Sequence, residues 1–395
     1  MRVLLALYRD DASVGGSLRV GQVLAKGLQN LGITTRLVFA YGGEGATGEG
    51  KGIPTSYLGL KRPSNIVHWL RARRLVADFQ PDIVHFIDPL IWMHVSLTGT
   101  KPKRVSHFHG ALIRPTLSKK ILLQWRLIQS RDNAFVCITE GSRRSVIRRL
   151  HAPEGKTSVV YNGVDFGWFQ QRPSKAEARS YLGLPPNAFV VGGVGRLFRS
   201  RCYDDLLRIL SLLDSNWRVL LAGGGPERKK LEQLAYALGV SERTTFTGPL
   251  PDVRVAYSAM DAFAFLPLYD SFGLATAEAM ACRVPVFGID CPGEYREPQN
   301  PLITDDNAIF LPHRSRKTYE DNEDPALLRA FAEKLTAFGE DPAKLAPMID
   351  RAWEHVRSRF STDAQAKAML EVYEKVLSQN AEGSQTVHAT SSGTR

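Results

Sequence analysis

The sequence predicts an α/β protein of two doubly wound, parallel-sheet domains that face each other across a cleft. Three observations carry this prediction. Apolar, β-branched runs alternate with helical patterns along the chain, the alternation starts afresh after a polar stretch near 170–175, and 395 residues exceed what one hydrophobic core organises.

In the first series, residues 2–8, 35–41, 83–88, 104–109, 134–139 and 158–162 read as strands. The clearest helix covers 17–31, where Val20, Val23, Leu24, Leu28 and Leu31 recur at offsets of three and four. The second series places strands at 189–194, 217–222, 244–247, 262–266 and 284–289, with helices at 204–213, 227–238 and 274–282 between them. Alternation of this kind implies parallel strands joined by right-handed crossovers. Such sheets bind ligands at the carboxyl ends of their strands, so the cleft between two of them is the expected site. Amphipathic helices follow at 325–338, 345–360 and 362–377, and the Ser-, Thr- and Gly-rich stretch 379–395 is expected to be disordered. Domains of 1–168 and 169–360 result, with Asn162-Gly163 as a turn suited to a hinge.

Nothing in the chain approaches the run of about 18 apolar residues that a membrane span needs. The first residues are too brief for a signal sequence, so a cytoplasmic chain is expected. Cys137, Cys202, Cys282 and Cys291 are scattered without a C-x-x-C pair and read as reduced packing residues. The net charge of +11 is uneven: residues 1–165 hold 24 Lys/Arg against 11 Asp/Glu, and the remainder 27 against 29. Clusters at Arg71, Arg73 and Arg74, at Lys101, Lys103 and Arg104, and at Arg143, Arg144, Arg148 and Arg149 could face an anionic membrane or acceptor, or be solvated helix faces.

Several strand ends carry candidate chemistry. Gly15-Gly16 lies between the first strand and the first helix, where amides at a helix start can hold a phosphate or a sugar hydroxyl. Gly192-Gly193-Val194-Gly195 resembles a dinucleotide fingerprint, but Phe198 stands where the third glycine belongs, which disfavours hydride transfer. Arg196 and Arg201 in the following loop could instead grip a diphosphate, or be two surface arginines. Gly223-Gly224-Gly225-Pro226 ends the next strand as a ligand loop or a structural turn. Asp270 precedes Phe272-Gly273-Leu274 and a helix containing Glu278, an acidic pair able to accept from sugar and ribose hydroxyls or to serve as cap and structural acid. His107 and His109 flank Phe108, and alternation puts both rings on one face. No third ligand lies nearby, so no metal site is read here.

Taken together, these motifs resemble the retaining GT-B glycosyltransferases, the family that includes bacterial mannosyltransferases and sucrose synthase. The resemblance runs over about residues 1–380 and rests on Asn162–Asp165, Gly195-Arg196-Leu197, Gly223–Glu227, Phe272-Gly273-Leu274, Glu278–Ala281 and Pro285-Val286 in that order. It implies two Rossmann-like domains, the second binding a nucleotide sugar, with the helix near 362–378 crossing back onto the first. It implies that Arg196 and Arg201 neutralise the donor diphosphate, with Arg201-Cys202 standing where the family has Lys-Gly. Asp270 takes the place of the first of two glutamates and would touch the donor sugar, while Glu278 would touch the ribose. Gly15 and Gly16, Gly195 and Gly224 would approach the donor, and His109 would lie near the reacting carbon. The implied reaction moves a hexosyl group to a glycan or lipid-linked acceptor in envelope or polysaccharide synthesis, with no cofactor, no metal and no nucleic-acid partner, in the cytoplasm or at the inner membrane face. The departures at Arg201, Cys202 and Asp270 raise a non-catalytic binding relative as the alternative, and a sugar-nucleotide epimerase as a further one.

Overall fold

A computed structural model of the chain describes residues 1–9, 16–41, 52–59, 66–88, 91–109, 123, 125–126, 130–268, 270–290, 302–311, 318 and 321–388. The chain divides into two compact units, Met1–Gly163 together with Thr362–Arg395, and Val164–Ser361.

The first unit is built on β1 (Arg2–Arg9), β2 (Thr34–Tyr41), β3 (Thr55–Tyr57), β4 (Ile83–Ile87), β5 (Lys103–Phe108), β6 (Ala134–Cys137) and β7 (Thr157–Val159). They form one parallel sheet in the order β3-β2-β1-β4-β5-β6-β7, with Val3 opposite both Thr35 and Ile83. Strands covered on both faces need continuous apolar runs, and β1 supplies one in Val3-Leu4-Leu5-Ala6-Leu7, each no more than 3% exposed. The helix Gly16–Asn30 lays Leu24, Ala25 and Leu28 on Val3, Leu5 and Leu7. The helix Thr362–His388 adds Met369, Tyr373 and Val376 to the same core. The two helices meet at Gly27, where an added Cβ would lie 2.8 Å from Ala366 Cβ and from the Thr362 carbonyl oxygen. A side chain at that position would push the helices apart.

The second unit holds β8 (Phe189–Val194), β9 (Trp217–Ala222), β10 (Thr244–Gly248), β11 (Ala262–Phe265), β12 (Val286–Ile289) and β13 (Ile309–Leu311), all parallel, in the order β10-β9-β8-β11-β12-β13. Leu206 and Leu210 of the helix Tyr203–Leu212, with Phe331 and Leu335 of Pro325–Glu340, pack with Trp217, Leu221 and Phe287. The helix Lys175–Leu182 shows how its ends are written in sequence. Ser174 and Glu177 form a reciprocal capping box, and Gly183 at φ 66° closes the other end.

Both units thus have the α/β, Rossmann-like doubly wound form that the sequence predicts. The alternating pattern omits β3 and β13, each three residues long and each at a sheet edge, because alternation over so short a run is not a signal. The last helix also runs on to His388, beyond the expected start of disorder at 379. Its Gln, Ala, Glu and Ser residues are compatible with a helix, and no proline interrupts them. No described helix is long and apolar enough to cross a membrane. Cys137, Cys202 and Cys282 are buried free thiols, and Cys291 lies outside the described residues.

Candidate functional site

In the second unit the strand order reverses at β8, which has β9 on one side and β11 on the other. Reversal opens a crevice at the carboxyl ends of the strands. The loop 195–202 follows β8 there, the loop 223–227 follows β9 and the segment 266–273 follows β11.

The glycines of the first two loops answer to each other. Leu197 N donates to Gly224 O at 2.8 Å and Glu227 N to Leu197 O at 3.1 Å. Gly195 and Gly223 hold φ of 139° and 140°. A Cβ on Gly223 would stand 2.0 Å from Gly195 O, and one on Gly225 2.5 Å from Leu197 O. Close approach is therefore required by backbone meeting backbone, whatever else binds there. Gly224 is confined less severely, its Cβ direction meeting the Pro249 ring at 3.2 Å.

Across the crevice, Leu268 N donates to Ser200 O at 2.8 Å, and Arg201 forms an ion pair with Asp270. The other carboxylate oxygen of Asp270 accepts from Phe272 N at 3.3 Å and Gly273 N at 3.1 Å. With Gly273 at φ 83°, this fixes the entry into the helix Leu274–Ala281. Arg201, Asp270, Gly273, Tyr203 and Thr276 line a narrow crevice of about 10 Å³. Burial pushes the Tyr203 hydroxyl up to about 12, so it remains a protonated donor. Thr276 Oγ1 is buried with no hydrogen-bond partner among the described residues. Neither side chain is marked by a motif, since a phenol opening one helix and an alcohol in the first turn of another leave no spacing signal.

Arg196, Gly195, Gly224, Leu274 and Glu278 do not line this crevice. The Arg196 guanidinium lies 4.7 Å from the centre of the Phe198 ring. Glu278 is 2% exposed, and its Oε2 accepts from Tyr257 Oη at 2.6 Å. Phe272 is buried with its ring 5.4 Å from that of Phe360.

The first unit repeats the reversal at β1, between β2 and β4. Ser17, one residue after Gly16 at the start of its helix, donates to Asp88 Oδ2 at the end of β4 and so bridges that reversal. Gly15 lies outside the described residues. His109, just past β5, donates its backbone N–H to Asp88 Oδ1 at 3.1 Å, with Nδ1 3.6 Å from the same oxygen. Burial would raise the Asp88 carboxyl, but the charge and hydrogen bonds of His109 and the Ser17 hydroxyl outweigh it and hold the group below its usual value. It is an anion beside an imidazole.

His107 and His109 do share a face, their ring centres 4.2 Å apart. Behind them His107 Nδ1 lies 3.2 Å from His85 Nε2, and His85 Nδ1 lies 2.6 Å from Tyr373 Oη. His107 belongs to this buried file, which runs from the last helix to β5. Burial, reinforced by His109, lowers His85 to about 3 and His107 well below its usual range, and burial with Arg104 and Arg131 lowers His94 to about 3.

A pH dependence follows. A histidine held neutral in the fold titrates near 6.5 when unfolded, so the unfolded chain takes up protons that the folded chain refuses. The stability contributed is complete above about 6.5 and is lost as pH falls toward 3, at about 1.4 kcal/mol per pH unit for each such group. Asp132, raised to about 7 by burial, acts in the opposite direction over about 4–7 and offsets one histidine. Denaturant titrations at pH 6.5, 5.5 and 4.5 should show the first unit losing about 1.4 kcal/mol or more per unit. A flat profile would rule out neutral His85 and His94.

Among the sequence-level basic clusters, several side chains have structural partners. Arg71 donates to Leu58 O and Arg73 to Ser96 O and Thr98 O, while Arg143 pairs with Glu140 and Glu154.

Comparison with known proteins agrees with this architecture. The family model described as glycosyl transferases group 1 matches residues 174–300, and the model of glycosyltransferase family 4 matches residues 14–168. A D-inositol 3-phosphate glycosyltransferase of Thermobispora bispora is 29% identical over 73% of this chain and 65% of its own length. One from Mycolicibacterium gilvum is 38% identical over 50% of this chain and 45% of its own. The chain thus spans less than two thirds of the first of these curated relatives. Among solved structures, Anabaena HepE in complex with UDP-glucose aligns with a TM-score of 0.77 at 19% identity, over 95% of this chain and all of that one. Sucrose-phosphate synthase from Thermosynechococcus elongatus aligns at 0.71 and 18%, over 96% of this chain and all of that one. At such identities the likeness is one of fold.

Proposed function

Since the chain belongs to the GT-B glycosyltransferases, we propose that it transfers a hexosyl group from a nucleoside diphosphate sugar to a hydroxyl of a glycan or lipid-linked acceptor, with retention of anomeric configuration. The observation that carries this reading is the convergence of three loops, bearing Arg196 and Arg201, Gly223–Pro226 and Asp270–Gly273, at the reversal point of one parallel sheet. A diphosphate there would meet two guanidinium groups and the amides of glycine loops. The relatives named for inositol phosphate and the neighbour holding UDP-glucose support a sugar-nucleotide donor.

In this reading the acceptor oxygen attacks the anomeric carbon on the face from which the diphosphate departs. The carbon–oxygen bond to the diphosphate breaks, the new glycosidic bond forms, and the acceptor proton passes to the leaving phosphate oxygen. Arg196 and Arg201 stabilise the charge that develops there, and His109 lies on the acceptor side near the reacting carbon. Asp270 has about one of its four lone-pair directions left after Arg201 and two amides, enough for one sugar hydroxyl. Glu278 accepts from the ribose, and Gly15 and Gly16 approach the donor. No metal or cofactor takes part. The work is done at the inner membrane face, where the basic first unit meets anionic lipid or a phosphorylated acceptor.

Asp270 held in an ion pair also favours a second reading, a relative that binds a sugar without transferring it. Incubation with a nucleotide-sugar panel separates the two, since a binding protein shows affinity but neither transfer nor slow donor hydrolysis. Arg196→Ala and Glu278→Ala are each expected to abolish donor binding measured by titration calorimetry. Unchanged affinity in both would contradict the site.

A further inference from the structure

The amino end of β5 carries a feature separate from the residues at its carboxyl end. Between the helix Ile91–Ser96 and β5 the segment 98–103, Thr-Gly-Thr-Lys-Pro-Lys, joins Arg104, Arg131 and Asn133 around a surface pocket of about 310 Å³. That volume is at the small end of small-molecule sites. Four cations line it, Lys101, Lys103, Arg104 and Arg131, and no carboxylate does.

The cations are placed at two depths. Arg131 and Lys101 are exposed at the rim, and neither has a salt bridge among the described residues. Arg131 is oriented by the bond from its Nη1 to Thr98 Oγ1 at 3.0 Å. Arg104 is the floor, 6% exposed, its guanidinium donating to the carbonyl oxygens of His94 and Leu97. Asp82 and Asp132 have partners of their own. Asp82 accepts from the backbone N–H of Arg2 at 2.7 Å. Asp132, 3% exposed, accepts from Ser106 Oγ at 2.8 Å and lies 3.3 Å from His94 Nδ1. Burial pushes Asp132 up to about 7, so near neutral pH it opposes the cations with only part of a charge, and burial, opposed by Asp132 and aided by Arg131, lowers Arg104 from its usual value. Ser106, His94 and Asp132 do not line the pocket, and serve as the packed base beneath it.

We propose that this pocket binds a phosphate group, carried by a small soluble phosphate or by a lipid headgroup. A compact dianion suits it. Lysine ammonium groups act as point charges, arginine forks supply paired donors, and the concave wall reduces the screening that an open surface would impose. Thr98 Oγ1, which accepts from Arg131, keeps its own proton to donate. Six residues of extended strand separate Lys103 from His109, roughly 20 Å, so a ligand here anchors or regulates and is not the reacting group.

The test uses the full chain. Calorimetric titration with inorganic phosphate, and flotation with phosphatidic acid against phosphatidylcholine vesicles, should give saturable binding to at least one anionic probe, weakening with added salt. A soluble source is indicated by inorganic phosphate binding, a headgroup source by binding to phosphatidic acid vesicles alone. The double variant Lys101→Ala/Arg131→Ala, both residues exposed, should bind about tenfold or more weakly with an unchanged circular dichroism spectrum and unchanged affinity for UDP-glucose. Absence of saturable binding to either probe, or a double variant that binds like the parent, overturns the proposal. Because no arm reads transfer, failure here is distinct from failure of the proposed activity.

Discussion

Alanine in place of His109 is expected to slow transfer about 10²–10³-fold while donor affinity stays within about threefold, the range found when one preorganised polar group at a reacting centre is removed. The position warrants this. His109 follows β5 at the carboxyl edge of the first unit, and its backbone N–H is held by Asp88, which is itself held by Ser17 across the reversal of the sheet. Nε2 of the ring is buried without a hydrogen-bond partner among the described residues, and Nδ1 lies 3.6 Å from Asp88 Oδ1. Asp88 is held as well by the backbone N–H of His109 and by Ser17, both of which the alanine variant keeps, so the loss should fall on turnover. Steady-state kinetics with a varied donor would check it. A variant whose turnover matches the parent, or whose main defect is a raised donor KM, removes His109 from the reaction.

Gly223→Ala is expected to destabilise the second unit by about 3 kcal/mol or more, the scale of a strained φ combined with overpacking. The added methyl would sit 2.0 Å from Gly195 O, at a backbone φ of 140°. Neither partner is a flexible side chain that can turn aside. For a unit of this size about 2–4 °C is lost per kcal/mol, so the melting temperature of that unit should drop about 10 °C. Gly224→Ala, whose methyl meets only a proline ring at 3.2 Å, should cost much less. Melting of both variants within about 2 °C of the parent would show that the two loops do not need their close contact.

That contrast shows what a linear reading can and cannot reach. Val20, Val23, Leu24 and Leu28 announce their helix because burial of one stripe repeats at the helical period. The strands 189–194 and 217–222 appear with the predicted bounds, since runs of apolar residues ending in glycine leave little else to form. The shared face of His107 and His109 was likewise legible, because alternation is a local property of a strand. Tyr373 was not legible as the partner of His85, the two standing 288 positions apart with only the fold bringing them together. The same holds for Arg201 and Asp270, read from sequence as two separate ligand contacts and found as one ion pair. Glycine was the most ambiguous letter. Gly223 and Gly225 look alike whether a phosphate or a neighbouring carbonyl comes close, and here each faces the backbone of the loop after β8.

The packing of Met369, Tyr373 and Val376 beneath the first sheet also has a consequence for biosynthesis. A ribosome delivers β1 through β7 long before it delivers the helix that closes their core, and the whole of Val164–Ser361 is made in between. The sheet made first therefore cannot be sealed until the segment reaching Val376 has emerged. The unit encoded in the middle, whose parts are contiguous, is free to mature while its elder neighbour waits.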